Sequence, residues 1–317
     1  MAGMPTPTRP DIARWREGNT GVEGVWCFDS GKPGRRVALT ALLHGNEFCG
    51  ARTLATFLEA GLRPRRGSLT LALCNLAAFD RFDPEFPDAS RFVDEDMNRV
   101  WTTEQLSERG SVERRRAHEL LPFLNNVDWL LDLHSMHEPG AALLLAGTAP
   151  RHLALARRLG APQHVVVDAG HADGCRLRDY AQFAAQGRQD AVALLLEAGH
   201  HFDAGSNDVA LDAAARFLAL AGVVDSEQIE QSWLKAQPAQ QTVLSVTDAV
   251  VARTMDFEFT QAFTGLDVIG RAGTVIARDA GRAVATPYDD CVLVMPSLRQ
   301  LRPGVTVVRL ARRGETD

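Results

Sequence analysis

Residues 37–47 read Val37-Ala-Leu-Thr-Ala-Leu-Leu-His44-Gly-Asn-Glu47, an apolar run that ends in a histidine and a glutamate. Such a near-continuous apolar run is typical of a strand that is buried on both faces of a sheet. The next segment, Cys49 to Ala60, has helical spacing and is followed by Gly61, a good helix stop. The pattern predicts a strand, a turn and a helix, with His44 and Glu47 in the turn.

The same alternation of strands and helices continues to about residue 220. Three further apolar runs predict strands at Ser68–Asn75, Val127–His134 and Asp190–Glu197. Apolar residues at three and four spacing predict helices at Glu113–Leu124, His152–Leu159 and Val209–Ala221. We therefore expect an α/β fold with a mainly parallel, mixed sheet that is flanked by helices.

Three potential metal ligands follow the predicted strands or end them. His44 and Glu47 come directly after the first strand, and His134 ends the third. Open α/β sheets bind small molecules beyond the carboxyl ends of their strands. We therefore expect these three side chains to meet at that edge. Two imidazoles and one carboxylate are typical of a catalytic zinc site with an open coordination position. The sequence predicts one Zn²⁺ per chain.

The pattern divides the chain into four parts. Residues 1–22 form an N-terminal lead-in whose first ten residues we expect to be disordered, and residues 23–225 form the catalytic domain. The polar, glutamine-rich residues 226–241 form a linker. Residues 242–317 contain short β-branched runs separated by Gly, Asp and Pro, which predict a smaller C-terminal all-β domain that could cap the site. Its predicted strands are Ala249–Ala252, Gly273–Ala277, Asp290–Met295 and Thr306–Leu310.

Composition excludes several classes of protein. With a formal net charge of -6 and no dominant basic cluster, the chain does not indicate nucleic-acid binding. It has no run of about 18 apolar residues and no signal-peptide pattern at its start. These features predict a cytoplasmic protein without a membrane partner. Five widely spaced cysteines without a C-x-x-C pair predict neither a disulfide framework nor a cysteine zinc site.

Four motifs in order carry a family resemblance. His44-Gly-Asn-Glu47, Arg91-Phe-Val-Asp-Glu-Asp-Met-Asn-Arg99 and Leu131-Asp-Leu-His134, with Glu197 after a later strand, resemble the succinylglutamate desuccinylase/aspartoacylase family, relatives of the zinc carboxypeptidases. The likeness covers about residues 35–200. It implies that His44, Glu47 and His134 bind zinc.

The resemblance also assigns roles to the remaining polar residues of the motifs. Asn98 and Arg99 would hold a substrate carboxylate, because a guanidinium makes bidentate, permanently charged contacts. Arg91 would steady the oxyanion. Glu197 would be the general base toward zinc-bound water. From the residues alone, a carboxylate that ends an apolar strand must either meet a cation or have a raised pKa.

Other candidates rest on weaker signals. Arg178 lies roughly where relatives carry a second carboxylate-binding arginine, and Tyr288 of the predicted β domain could close over the cleft. The roles of His137, His200 and His201 stay open.

Three functions fit these residues. The first is a zinc-dependent deacylase that cleaves the amide bond of an N-acylated amino acid or a similar small carboxylate. The second is a zinc carboxypeptidase acting on short peptides, which would need an open groove. The third is a non-catalytic zinc- or ligand-binding protein, which would not need the base Glu197. Exposed apolar surface on the β domain could support a homodimer.

Overall fold

A computed structural model describes residues 8–171 and 173–314 of the 317-residue chain. Its strands are β1 (Val25–Asp29), β2 (Arg36–Ala41), β3 (Ser68–Leu73), β4 (Trp129–Met136), β5 (Leu143–Ala146), β6 (His164–Val167), β7 (Val192–His200), β8 (Thr242–Val251), β9 (Phe257–Phe259), β10 (Val268–Ile269), β11 (Val275–Asp279), β12 (Arg282–Ala285), β13 (Cys291–Val294) and β14 (Thr306–Arg313). Its α-helices are α1 (Phe48–Glu59), α2 (Leu76–Asp80), α3 (Thr103–Ser107), α4 (Val112–Leu124), α5 (Pro150–Leu159) and α6 (Ala204–Ala221).

The α/β prediction is confirmed. A large mixed sheet has the strand order β1-β3-β2-β4-β7-β5-β6-β8-β14-β13-β10. Its centre is parallel, since β2 pairs in parallel with β3 and β4, and β4 with β7. β5 pairs antiparallel with β7, and β1 pairs antiparallel with β3. The carboxyl ends of β2, β4 and β7 therefore meet at one edge of the sheet.

Helices cover both faces of the sheet. Alternate side chains of β2 enter opposite cores: Leu39 packs in the cluster with α1, α5 and α6, whereas Ala38 packs in the cluster with α4. This two-sided burial explains why the central strands read as continuous apolar runs. The helix predicted to begin at Val209 begins at Ala204, because the Asp203 side chain accepts a hydrogen bond from the Gly205 N–H and caps it.

The predicted C-terminal β domain is only partly separate. All of its regular structure is β, but β8 pairs in parallel with β6, and β14, β13 and β10 extend the large sheet. Only β9, β11 and β12 form a second sheet. The hydrogen bonds of β8 thus join the C-terminal part to the α/β part along the whole length of β6.

The structure describes residues 8–22 of the predicted N-terminal lead-in and the whole of the predicted linker, residues 226–241. Residues 1–7 lie outside the described residues, while Ile12 and Trp15 are buried against the main core. In the segment 226–241, Trp233 is buried with its ring centroid 5.1 Å from that of Phe57. Among the described residues, no helix is long and apolar enough to cross a membrane. All five cysteines are free.

Candidate active site

The three predicted metal ligands lie together at the carboxyl edge of the sheet. His44 and Glu47 occupy the turn between β2 and α1, and His134 lies near the end of β4. One donor atom of each lies within 4.8 Å of the others. The Nδ1 atoms of His44 and His134 are each 2.8 Å from a different oxygen of Glu47. All three side chains are buried, so their polar atoms face one another instead of water.

The second ring nitrogen of each histidine, Nε2, contacts another carboxylate. The Nε2 atom of His44 is 2.9 Å from Asp96 Oδ1, and that of His134 is 2.7 Å from Asp132 Oδ2. Asp132 is itself fixed by the Thr40 hydroxyl, which donates to its Oδ1 at 2.7 Å. Contacts of this kind orient a ligand imidazole and fix which ring nitrogen faces the metal. In both rings the nitrogen that faces Glu47 is Nδ1.

The residues present fit a divalent metal ion. Two imidazole nitrogens and a carboxylate converge within one buried cluster, and no other group of three metal-ligating side chains occurs among residues 8–171 and 173–314. Burial raises the pKa of Glu47, but the charges of His44 and His134 outweigh it and hold that pKa well below its usual value. Glu47 is therefore an ionised carboxylate in the cluster.

Glu197 faces the same cavity without a hydrogen-bond partner for one carboxylate oxygen. It lies on β7 directly beside His134 of β4. Its Oε2 atom is buried and makes no hydrogen bond to the described residues. Burial, with the negative charge of Glu47 second, raises the pKa of Glu197 to about 8. This is the raised-pKa alternative that the sequence left open.

Arg91, Asn98 and Arg99 line the cavity with the metal-ligand cluster. Arg91 Nη1 donates to Glu47 Oε1 at 3.1 Å, and its Nη2 donates to Asp96 at 3.3 Å. Asn98 Oδ1 accepts from the Leu177 N–H at 3.0 Å, and its amide nitrogen makes no hydrogen bond within the described part of the chain. Arg99 Nη1 donates to the Asn98 carbonyl at 2.8 Å.

The cavity, of about 130 Å³, is closed on one side by the C-terminal part of the chain. The segment between β13 and β14 contributes Met295, Ser297 and Gln300 to the lining, and β14 itself contributes Arg309. The site is therefore a pocket formed by both parts of the chain.

Two predicted substrate residues lie elsewhere. Arg178 is fully buried, donates to the Asp168 carbonyl at 3.1 Å and does not line the cavity; Arg176, two residues earlier, does. Tyr288 also lies outside the lining, where its hydroxyl is 2.6 Å from Thr247 Oγ1 and its ring lies under Arg312.

Several residues that line the cavity were not predicted from the sequence, chiefly Arg176, Arg309 and Ser135. Arg176 and Arg309 share one carboxylate: Arg176 Nη1 is 2.9 Å and Arg309 Nε 3.1 Å from Asp168 Oδ2. The sequence does mark Arg309 in one way, because it is the single charged residue in the run from Val305 to Ala311.

The three histidines whose roles the sequence left open differ in their relation to the cavity. His137 lines the cavity, where Arg91 Nη1 lies 3.1 Å from its Nε2. His201 Nδ1 is 2.8 Å from the Ser135 hydroxyl, and its Nε2 is 3.3 Å from His137 Nδ1. His200 does not line the cavity. His137 is therefore part of the pocket wall, and His201 contacts that wall through His137 and Ser135.

Known structures share this fold over nearly the whole chain. The succinylglutamate desuccinylase of Vibrio cholerae has a TM-score of 0.68 and 16% identity, over 92% of this chain and 86% of that one. The enzyme of Vibrio parahaemolyticus has a TM-score of 0.65 and 16% identity, over 90% and 83%. The product-bound ectoine utilization protein EutE (DoeB) of Ruegeria pomeroyi has a TM-score of 0.60 and 17% identity, over 88% and 86%.

Sequence comparison agrees with the fold. No curated protein matches the sequence of this chain. A model of the succinylglutamate desuccinylase/aspartoacylase catalytic domain, however, matches residues 33–221, which is more than half of the chain and contains every residue of the His44, Glu47 and His134 cluster. The chain therefore belongs to the succinylglutamate desuccinylase/aspartoacylase family of hydrolytic deacylases.

Proposed function

We propose that this protein is a zinc-dependent deacylase that hydrolyses the amide bond of an N-acylated amino acid or a related small carboxylate. One observation carries the proposal. Glu197, a buried carboxylate with an unpartnered oxygen and a pKa raised to about 8, shares a cavity with His44, Glu47 and His134. A group with a pKa near the working pH is suited to accept a proton and release it again.

His44, Glu47 and His134 would hold the zinc ion. A zinc ion with such ligands, when bound, polarises a carbonyl and makes water a stronger acid. The contacts of Asp96 and Asp132 support this assignment, because they leave both Nδ1 atoms directed toward Glu47.

Glu197 acts as the general base. It accepts a proton from the attacking water and delivers it to the nitrogen of the leaving amino acid, so one carboxylate serves both steps. Its place beside His134 in the sheet supports this role. Arg91 is a cation on the cavity wall, and a fixed donor of this kind stabilises the negative charge that develops on the carbonyl oxygen.

Asn98 and Arg99 anchor the substrate carboxylate. Both line the cavity, and the free amide nitrogen of Asn98 and the guanidinium of Arg99 are donors. Arg176 and Arg309 add positive charge to the same wall. The placement of Arg178 and Tyr288 away from the lining favours Arg176 as the second arginine of the pocket.

The two other functions have less support. A carboxypeptidase needs an open groove for its peptide, whereas the segment between β13 and β14 closes one side of this pocket. A protein that only binds zinc or a ligand gains nothing from Glu197, since leaving a buried carboxylate oxygen without a partner costs free energy.

An activity screen of the zinc-loaded protein tests the proposal. We expect release of the free amino acid from at least one of the N-acetyl, N-succinyl and N-formyl amino acids, and no cleavage of dipeptides. Cleavage of dipeptides alone would support a carboxypeptidase. Cleavage of no substrate by a protein that holds zinc would support the binding-only alternative.

A further inference from the structure

A second, smaller chamber adjoins the candidate active site. It measures about 60 Å³ and shares Met136, His137, Met295 and Ser297 with the cavity that contains the metal ligands. Most of its remaining lining is apolar or glycine: Pro139, Gly140, Ala141, Leu143, Gly265, Leu266 and Pro296. The proposed function assigns no role to this space.

Strand register places the chamber next to the catalytic side chains. On one side Glu197 is the partner of His134 in β4, and on the other it is the partner of Leu143 in β5. Side chains of directly opposed residues lie on the same face, with Cβ atoms about 5 Å apart. Leu143, which lines the chamber, is therefore one strand away from Glu197.

The charges of the two spaces differ. Arg99, Arg176 and Arg309 line the main cavity, but no arginine among the described residues lines the chamber. The charged group in its lining is Glu138, whose carboxylate Arg299 already binds at 2.9 Å. The chamber thus offers no free cation to a second carboxylate of a substrate, whereas it does offer apolar surface.

Two strained residues form part of the apolar wall. Leu266 has a φ of 74° and Met295 a φ of 51°, a left-handed conformation that non-glycine residues rarely adopt. Among the described residues only six non-glycine residues have positive φ, and these two both line the chamber. Because such strain costs free energy, its concentration on one wall points to a functional constraint there.

We infer that the chamber binds the acyl chain of the substrate and selects apolar acyl groups of about four carbons over acetyl and succinyl groups. The inference rests on the proposed function, because it places the scissile carbonyl beside Glu197 and the carboxylate at Asn98 and Arg99. The acyl carbons then extend past Leu143 into the chamber. Met136 and Met295, whose side chains are flexible, can adjust to the chain.

Calorimetry with a non-turnover variant tests the chamber separately from catalysis. Zinc-loaded Glu197→Gln protein is titrated with N-acetyl, N-butanoyl, N-hexanoyl and N-succinyl derivatives of L-glutamate and of L-alanine. Each buried methylene is worth about fourfold in affinity, so the butanoyl compound should bind on the order of tenfold more tightly than the acetyl compound. Equal binding of all four acyl groups, or binding of none, would overturn the inference.

Gly140→Leu shows whether the preference comes from this space. A Cβ at Gly140 would lie 3.5 Å from the Met136 Cε, an ordinary contact, and would meet no backbone atom within 4 Å. Because Gly140 lines the chamber, we expect the longer side chain to occupy part of it. We expect the butanoyl advantage to disappear in this variant. Gly110→Leu is the matched control, since a Cβ there meets nothing within 4 Å, and it should keep the advantage.

Turnover of the same compounds by the wild-type enzyme separates the two proposals. Hydrolysis of all acyl groups with equal kcat/KM would support the deacylase function and contradict the proposed selectivity of the chamber. Tighter binding of the butanoyl compound without any hydrolysis would contradict the deacylase function and support the chamber as the binding site of the acyl group.

Discussion

Glu197 and His134 are direct neighbours in the parallel pairing of β7 with β4. The register brings a carboxylate with a raised pKa beside an imidazole whose Nδ1 atom faces Glu47. Because both strands are central and buried, neither side chain can turn to solvent, and the shared cavity is where their polar atoms meet.

The histidine ligands can be tested by metal content. Replacing His44 or His134 with Ala removes one of three ligands from a buried site, so zinc bound after dialysis should fall from about one per chain to near zero. Mass spectrometry of the metal measures this. His118→Ala is the control, because that histidine contacts Arg109 outside the cavity. Full zinc content in both ligand variants would refute the assignment.

The carboxylate behind His134 should tune zinc affinity. Asp132→Asn keeps the shape of the side chain but weakens its contact with Nε2, so the zinc dissociation constant should rise about 10- to 100-fold. Competition with a chromogenic chelator measures the change. Asp128→Asn, which removes a carboxylate bound to Arg36 before the same strand, should leave the affinity unchanged. Equal affinities of the two variants would argue against an orienting role.

Arg99 should control substrate binding without affecting the metal. Loss of a charged hydrogen-bond donor costs about 2 kcal/mol, so Arg99→Gln should raise KM on the order of 30-fold at unchanged zinc content. Steady-state kinetics with the best substrate of the screen measures this. Arg114→Gln is the control, because Arg114 pairs with Glu95 and Glu108 away from the cavity. An unchanged KM would place the anchor elsewhere.

Asp168 should make stability depend on acid pH. Burial raises its pKa, but the charges of Arg176 and Arg309 outweigh burial and lower that pKa to about 2. A carboxyl whose pKa is lower in the folded state stabilises the fold fully above its unfolded value, near pH 4, and progressively less as the pH falls toward 2. Urea unfolding should therefore show an advantage of wild type over Asp168→Asn that shrinks below about pH 4. A constant difference would contradict this.

Local pattern predicted where the three candidate metal ligands lie, and the family resemblance predicted their role. His44, Glu47 and His134 follow or end long apolar strands, and the edge at which such strands end is fixed by the parallel sheet. Glu197 was placed at that edge for the same reason, whereas its role as general base came from the resemblance. The short strands β5 and β6 were missed, because four apolar residues are too few to distinguish a strand from a buried turn.

Contributions from distant segments could not be predicted. Arg309 reaches the pocket because β8 pairs with β6 and carries β14 with it, a pairing between segments that lie some 80 residues apart in the sequence. Arg176 directly precedes the short 3-10 segment Leu177–Asp179, which contains Arg178, and only the backbone path decides which of the two side chains lines the cavity. The sequence carries no periodic signal for either arrangement.

The most direct test of the account is the zinc content and turnover of Glu197→Gln. The substitution removes the base but none of the three ligands, so the variant should bind zinc as wild type does while kcat falls by a factor of at least about 100. Wild-type kcat in the zinc-loaded variant would show that the base lies elsewhere and would contradict the mechanism.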